Sequence, residues 1–342
     1  GTTAAFSFNL EIPDKKTLKE DLLEEQIKLL YNAIYHPKIK NLGFDDFELK
    51  REKENLKLKI KSNEKSRKTY LNYKIAKLVD NEGIFSRSLI DNKSQIDEVT
   101  PQNLYDYWKD KIKNNIPIIF IMGNIDKQEI TSLIKKYFTK TNNKKQYLKT
   151  DYIHYLLPYR KEPQTITEEK YFNDSALSLI YKVKDMKQED SILLGLISNL
   201  LTSLSSRLLS KKLRDEYNMI YYSKVNFYSN YGLLKITVYI DSKNRNSAEE
   251  KIKEVVNSLK DEKTIEPLLE KIKERRRINL IKSLDNKYSI MNDYVFEKLK
   301  INYTSKESYN LLKEKTAKDI AEFIDRLSLD TVYFLKEKEK NE

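Results

Sequence analysis

The 342 residues carry 64 Lys+Arg against 52 Asp+Glu, a net charge of +12, two histidines and no cysteine. That length is room for two domains of ordinary size, and 39% apolar residues suffice for two cores. Without cysteine there is no disulfide, thiolate metal site or sulfur nucleophile, and His36 and His154 are too distant in sequence to form a local zinc pair.

The charges are interspersed rather than blocked, which separates this chain from a disordered polyelectrolyte. No apolar run reaches the about 18 residues that a membrane span needs. Gly1 opens the sequence without a basic and then apolar leader, so no secretion signal is visible in this form, and the absence of cysteine fits a cytoplasmic address. With 6 glycines and 7 prolines, long helices are favoured over an all-β fold with many tight turns.

Residues Phe6–Ile12, FSFNLEI, alternate apolar and polar as a half-buried strand does. Leu18–Tyr35 sets Leu22, Leu23, Ile27, Leu30 and Ile34 on one helical face, and Pro37 ends it. A second helical region runs from Asp45 to Val79, with a bend predicted near Ser62–Asn63. Thr100 with Pro101 opens a short helix, Ile116–Met122 reads as a buried strand, and Asp126 with Glu129 opens another helix.

The C-terminal half repeats that order. Leu233–Asp241 alternates as a strand, Ser247 with Glu250 starts a helix, and a long helical region covers Thr264–Leu299. Thr316 starts a short helix and Thr331–Leu335 is a closing strand. Thr100, Leu104 and Tyr107 correspond to Thr316, Ile320 and Phe323, and Asn55-Leu56 to Asn279-Leu280, which points to an internal duplication. The second half has extra elements before its shared strand: a strand at Ala176–Val183, a helical stretch at Ser191–Asp215 and a strand at Met219–Tyr228. The first half has no counterpart, so the repeat predicts a first domain lacking its opening third. Thr139–Thr165, with NNKK and two prolines, reads as the linker.

Several segments together resemble the insulinase/pitrilysin-type metallopeptidase family, the inverzincins. They are TPQNLYDYWKDKIKNNIPIIFIMGNIDKQEITSLIKKYF and SSRLLSKKLRDEYNMIYYSKVNFYSNYGLLKITVYI. The second carries an S-R-L…L-R-x-x-x-x-x-x-Y signature ahead of a hairpin. In active members, zinc is held by an H-x-x-E-H helix and a distal glutamate, and the motif glutamate activates the attacking water. This chain has no H-x-x-E-H. REKENLKLK supplies Glu52 but puts Lys59 where the resemblance expects the distal ligand, and a protonated ammonium offers a cation no lone pair. Glu54 and Glu64 are the positions an alignment slip would substitute.

The resemblance also implies a substrate-holding pair, Arg214 and Tyr221, seven residues apart in LRDEYNMIY. A guanidinium offers forked donors to a peptide carbonyl or carboxylate, and a phenol can donate to a developing oxyanion. Some two-component bacterial members divide the zinc motif and the arginine-tyrosine pair between two subunits. This chain is similar to the second kind, and Phe44–Lys59 and Lys65–Ile75 resemble the zinc-less partners of Gram-positive bacteria.

Plainer readings stand beside these. Arg214 can be a solvated side chain pairing with Asp215 or Glu216, and Tyr221 one of 24 tyrosines on a strand. Glu52 sits in a Lys/Glu-rich helix and reads as a solvated face. His36 closes a helix, His154 packs among linker tyrosines, and neither is a metal candidate. KIKERRR (Lys271–Arg277) raises nucleic-acid binding, but Glu270 and Glu274 permit helix-surface ion pairs and no recognition motif accompanies it. Ser191–Leu209 is apolar enough to suggest a membrane surface, and its Ser, Thr and Asn favour a buried core helix.

The expected fold is α+β: two homologous domains, each an antiparallel-leaning mixed sheet packed on helices. An incomplete N-terminal domain spans 1–140, a linker 141–168 and a C-terminal domain 169–342. The expected role is a non-catalytic substrate-binding subunit of a zinc-dependent peptidase heterodimer. Arg214 and Tyr221 bind peptide or unfolded polypeptide, no metal or cofactor is held here, and zinc lies on a homologous partner subunit. A truncated active peptidase, a purely structural homologue and a nucleic-acid-binding protein are the alternatives.

Overall fold

The computed structural model describes residues 6–13, 15–81, 83–115, 117–138, 156–203 and 206–338. In chain order the longer helices are α1 (Leu23–Tyr35), α2 (Asp46–Lys65), α3 (Arg67–Val79), α4 (Pro101–Asn114), α5 (Lys127–Phe138), α6 (Asp190–Thr202), α7 (Arg245–Ser258), α8 (Glu262–Ser283), α9 (Lys287–Leu299), α10 (Ser305–Lys313) and α11 (Ala317–Asp325). The strands are β1 (Gln164–Lys170), β2 (Ser175–Val183), β3 (Ile220–Tyr228), β4 (Leu233–Ile240) and β5 (Leu327–Glu337). The chain divides into two units. One holds Thr3–Ser66 and Ser88–Leu148, the other Arg67–Arg87 and Lys149–Glu342.

The first unit is helical. Asp45 caps α2 by accepting from the backbone of Phe47 and Glu48, satisfying donors that a helix start leaves free. Thr100 and Asn103 form a reciprocal capping box on α4, with Pro101 as the first helical residue. α1 and α5 bury Ile27, Ile130 and Phe138 against each other, with Tyr31 and Tyr35 at the margin. The segments Phe6–Ile12 and Ile116–Met122 are strands in the sequence reading. Among the described residues neither pairs with another strand, and Ile116 lies outside them. Phe6 and Phe8 lean edge-on against Trp108 instead, and Phe6 stays 56% exposed.

The second unit explains that difference. Its five strands run in the order β1-β5-β2-β4-β3, with only the β1–β5 pair parallel, so the mixed, antiparallel-leaning α+β sheet is present. β4 and β5 flank β2 and never touch each other. In the repeat read from the sequence, Phe6–Ile12 and Ile116–Met122 match β4 and β5, and among the described residues of the first unit no segment matches β2. A strand needs a neighbour for its ladder.

The apolar side chains of β2 and β4 alternate between two cores. Leu177, Leu179, Leu234, Ile236 and Val238 face α6, α7, α8 and α11. Ala176, Ile180, Leu233 and Tyr239 face α3, which supplies Leu71, Ile75 and Val79 at helical spacing. α3 therefore belongs with the C-terminal sheet, although the sequence reading put all of 1–140 in the N-terminal domain. The sequence-assigned linker 141–168 likewise includes most of β1, whose edge position lets Gln164–Lys170 stay polar. Residues 141–155 of that linker, with His154, lie outside the described residues.

Several charged groups on the α3 side are paired inside the unit. Lys182 (2% exposed) lies 3.1 Å from Asp330 (0%), whose other oxygen takes Arg160 at 3.0 Å. Glu168 accepts from Tyr70, from Tyr333 at 2.9 Å and from Lys74 at 3.1 Å. The long helix predicted over Thr264–Leu299 is two helices, because Asn286 caps α9 by accepting from the Ser289 backbone. The helix predicted from Ser247 begins earlier, at Arg245.

Candidate functional site

Arg214 sits on a wide turn, Lys211–Glu216, with π-type hydrogen bonding. Arg207 enters it and Asn218 leaves it in left-handed backbone conformations, φ 43° and 50°. The turn is anchored by Leu209 and Leu213, fully buried beside Ile220. With those residues committed to the core, Arg214 is left at the surface. Its Nε donates to Asp215 at 3.0 Å.

The chain then enters β3, the outermost strand. The β3–β4 register slips between Ile220 and Tyr222, so Tyr221 is the extra residue of a bulge and its ring is 59% exposed. Its hydroxyl donates to Asp241 Oδ1 at 2.6 Å. That hydrogen bond, then slight burial, raises the phenol above its ordinary pKa, so at neutral pH it stays protonated and able to donate.

Arg214 and Tyr221 border one open cavity of about 290 Å³, together with Thr202, Ser210 and Ser223. One wall follows the outer edge of β3 from Ile220 to Val225. The Ser210 and Ser223 hydroxyls share a 3.1 Å hydrogen bond there. The cavity thus combines a guanidinium, a phenol, hydroxyls and a strand edge. Lys224 lines it as well, and no histidine or carboxylate does. These are fittings for holding an extended peptide by its backbone. Asp241, which fixes the phenol, was not singled out from the sequence.

The other sequence candidates do not converge. Glu52 lies on the exposed surface of α2 beside Arg51 at 3.3 Å, and Lys59 is exposed on the same helix. Glu54 pairs with Lys57 at 3.2 Å. His36 packs against the ring of Tyr31 at the end of α1. Among the described residues no three His, Asp or Glu side chains gather to hold a metal. The donors at the positions the resemblance marks therefore do not fit zinc: one carboxylate already beside an arginine, and one ammonium. In the basic run, Lys273 pairs with Glu270 at 2.7 Å and Arg277 with Glu274 at 2.8 Å, which absorbs much of its charge on the helix surface. Among the described residues no helix is long and apolar enough to cross a membrane.

A sequence profile described as "Peptidase M16 inactive domain" matches residues 98–276, more than half of the chain. The chain belongs to this family. It is the family of the insulinase/pitrilysin-type peptidases that the two quoted segments resemble. This M16 chain is 22% identical over 341 residues to the Bacillus subtilis (strain 168) protein described as "Probable inactive metalloprotease YmfF", covering 98% of this chain and 79% of that one. Among solved structures it is similar to a conserved protein from Enterococcus faecalis V583, with TM-score 0.82, 23% identity and coverage of 97% and 78%. It is also similar to a protease from Helicobacter pylori, with TM-score 0.76, 16% identity and coverage of 92% and 76%. At these identities the solved structures establish a shared fold.

Proposed function

We propose that this M16 chain is the non-catalytic, substrate-binding member of a peptidase pair, working beside a homologous subunit that carries the zinc. Arg214 would fork onto a peptide carbonyl or carboxylate, and Tyr221 would donate to the carbonyl oxygen as it gains charge at the partner's metal. The observation that carries this reading is the shared cavity: two side chains seven residues apart border one open space at a strand edge. The "inactive" descriptions of the family and of the Bacillus subtilis relative support the absence of hydrolysis by this chain alone.

The test is reconstitution with a homologue bearing H-x-x-E-H. Peptide hydrolysis is measured for each subunit and for the mixture, with zinc determined on each. Activity confined to the mixture, with zinc on the partner, is the expected result. Hydrolysis and stoichiometric zinc in this chain alone would sink it.

A second reading is favoured by one observation: Arg214 and Tyr221 each already has an acidic neighbour, Asp215 and Asp241. A purely structural homologue would keep these pairs for themselves. Arg214→Ala and Tyr221→Phe separate the two readings, because a structural subunit would leave the mixture's activity unchanged.

A further inference from the structure

The sheet face under α3 carries two buried lysines treated very differently. Lys182 is neutralised by Asp330, as a buried ammonium should be. Lys235, on β4, is 5% exposed, and its Nζ lies 2.5 Å from the neutral amide oxygen of Asn72 on α3. It also sits 5.8 Å from the centre of the Tyr228 ring. Among the described residues no carboxylate pairs with it.

The surroundings deepen the imbalance. α3, β3 and β4 contain Arg67, Lys68, Lys74, Lys77, Lys224 and Lys235, and no Asp or Glu at all. Arg67 takes Asp174, Lys74 takes Glu168, and Lys77 has an interaction of its own. Among the described residues Lys68, Lys224 and Lys235 are left without a carboxylate. They are also neighbours by construction of the fold. Lys68 is one helical turn before Asn72, on the same face of α3. Asn226 pairs with Lys235 across the β3–β4 ladder, so Lys224 is diagonal to Lys235 on the same face. Exposure falls from Lys68 at the surface, through half-buried Lys224, to buried Lys235.

We propose that Lys235, Lys224, Lys68 and Asn72 form a binding site for a small phosphate-type oxyanion between α3 and the β3–β4 pair. Three ammonium groups supply point charges suited to a dianion, and Asn72, whose oxygen accepts from Lys235, keeps its amide N–H groups to donate. A buried cation without a counter-charge is costly, and an anion removes that cost while an apolar ligand could not. Burial and then the two neighbouring lysines push the Lys235 ammonium down to about 8, the state that a bound anion would reverse. Lys224 also lines the Arg214–Tyr221 cavity, but Lys235, Asn72 and Lys68 do not, and the proposal does not depend on the peptidase pairing.

The experiment is thermal unfolding of the chain in sodium phosphate against sodium chloride at matched ionic strength, near pH 7. A saturable rise in Tm with phosphate is expected, abolished by Lys235→Met, with phosphate affinity weakened about tenfold by Lys68→Gln or Lys224→Gln. Because Lys235→Met can repack the sheet face, NMR titration of Lys235 in the unmodified chain provides a second reading: phosphate should raise its pKa. A parallel arm with AMP tells a free anion from a phosphomonoester, and either supports the site. An equal rise in chloride, an equal rise in Lys235→Met, or an unmoved Lys235 titration would overturn it.

Discussion

Tyr221 and Asp241 close the open end of the β3–β4 pair, hydroxyl to carboxylate, at 2.6 Å. The bulge at Tyr221 turns its ring out, and β4 ends at Ile240, just before the carboxylate that receives it. The phenol is thereby held beside the cavity as a protonated donor. Asp241→Asn should let its pKa fall back toward the usual tyrosine value, because phenolate would no longer form beside a negative charge. Ultraviolet phenolate titration, with Tyr221→Phe identifying the signal, measures the change, and an unmoved Tyr221 would contradict the assigned cause.

Arg214 offers a finer test than truncation. If its terminal nitrogens fork onto a peptide carbonyl or carboxylate, Arg214→Lys keeps the charge and loses the fork. Hydrolysis by the reconstituted pair should then fall by about tenfold or more, with Tyr221→Phe costing about tenfold to a hundredfold. A lysine variant with full activity would show that charge alone matters there.

The two buried lysines should respond oppositely to the same substitution. Lys182→Met leaves Asp330, fully buried, with Arg160 and the Thr331 hydroxyl but without its buried ammonium, and should destabilise the chain by about 3 kcal/mol. Lys235→Met removes a buried cation that has no carboxylate, and should be neutral or stabilising by about 1–3 kcal/mol at pH 7. Urea unfolding of both variants decides, and equal destabilisation would refute the contrast.

The pH dependence follows from Lys235. Its folded pKa of about 8 lies below the ordinary lysine value of 10.5. Between those values the unfolded chain binds the proton more often than the folded one, so stability rises with pH across this window. The gain from pH 8 to pH 10 is about 2–3 kcal/mol at most. Lys182, also lowered by burial against the opposing pull of Asp330, contributes with the same sign. Above pH 10 the direction reverses as Tyr70 and Tyr333, both raised by burial and by Glu168, become harder to ionise folded than unfolded. Urea unfolding at pH 7, 9.5 and 11 should show a rise and then a fall, with the rise reduced in Lys235→Met.

The C-terminal half was readable because its strands are written in apolar runs and its helices in caps. Thr316 starts its helix as the sequence indicates, boxed reciprocally with Asp319, and Ile320 and Phe323 are buried behind it. The matching helix start at Thr100 is equally correct, yet Tyr107, the counterpart of Phe323, is largely exposed. Local signals specify where a helix begins; what it packs on depends on strands elsewhere. β1 escaped notice because an edge strand can be as polar as QTITEEK. The spacing of Arg214 and Tyr221 was visible in the signature, whereas Asp241, twenty positions downstream of Tyr221, became a neighbour only through the ladder.

The allegiance of α3 has a consequence for how this protein could be taken apart. The chain passes from one unit to the other at Ser66, returns after Arg87, and leaves again after Leu148. A single cut anywhere between the halves therefore frees neither. A fragment starting at residue 149 would lose the cover over Ile180, Leu233 and Tyr239 together with the partners of Glu168 on that helix. A fragment ending at 148 would keep α3 without the sheet it was made to cover. The repeat in the sequence suggests two modules, but the folded chain is interleaved, and its halves can be exchanged separately only if that one helix travels with the second.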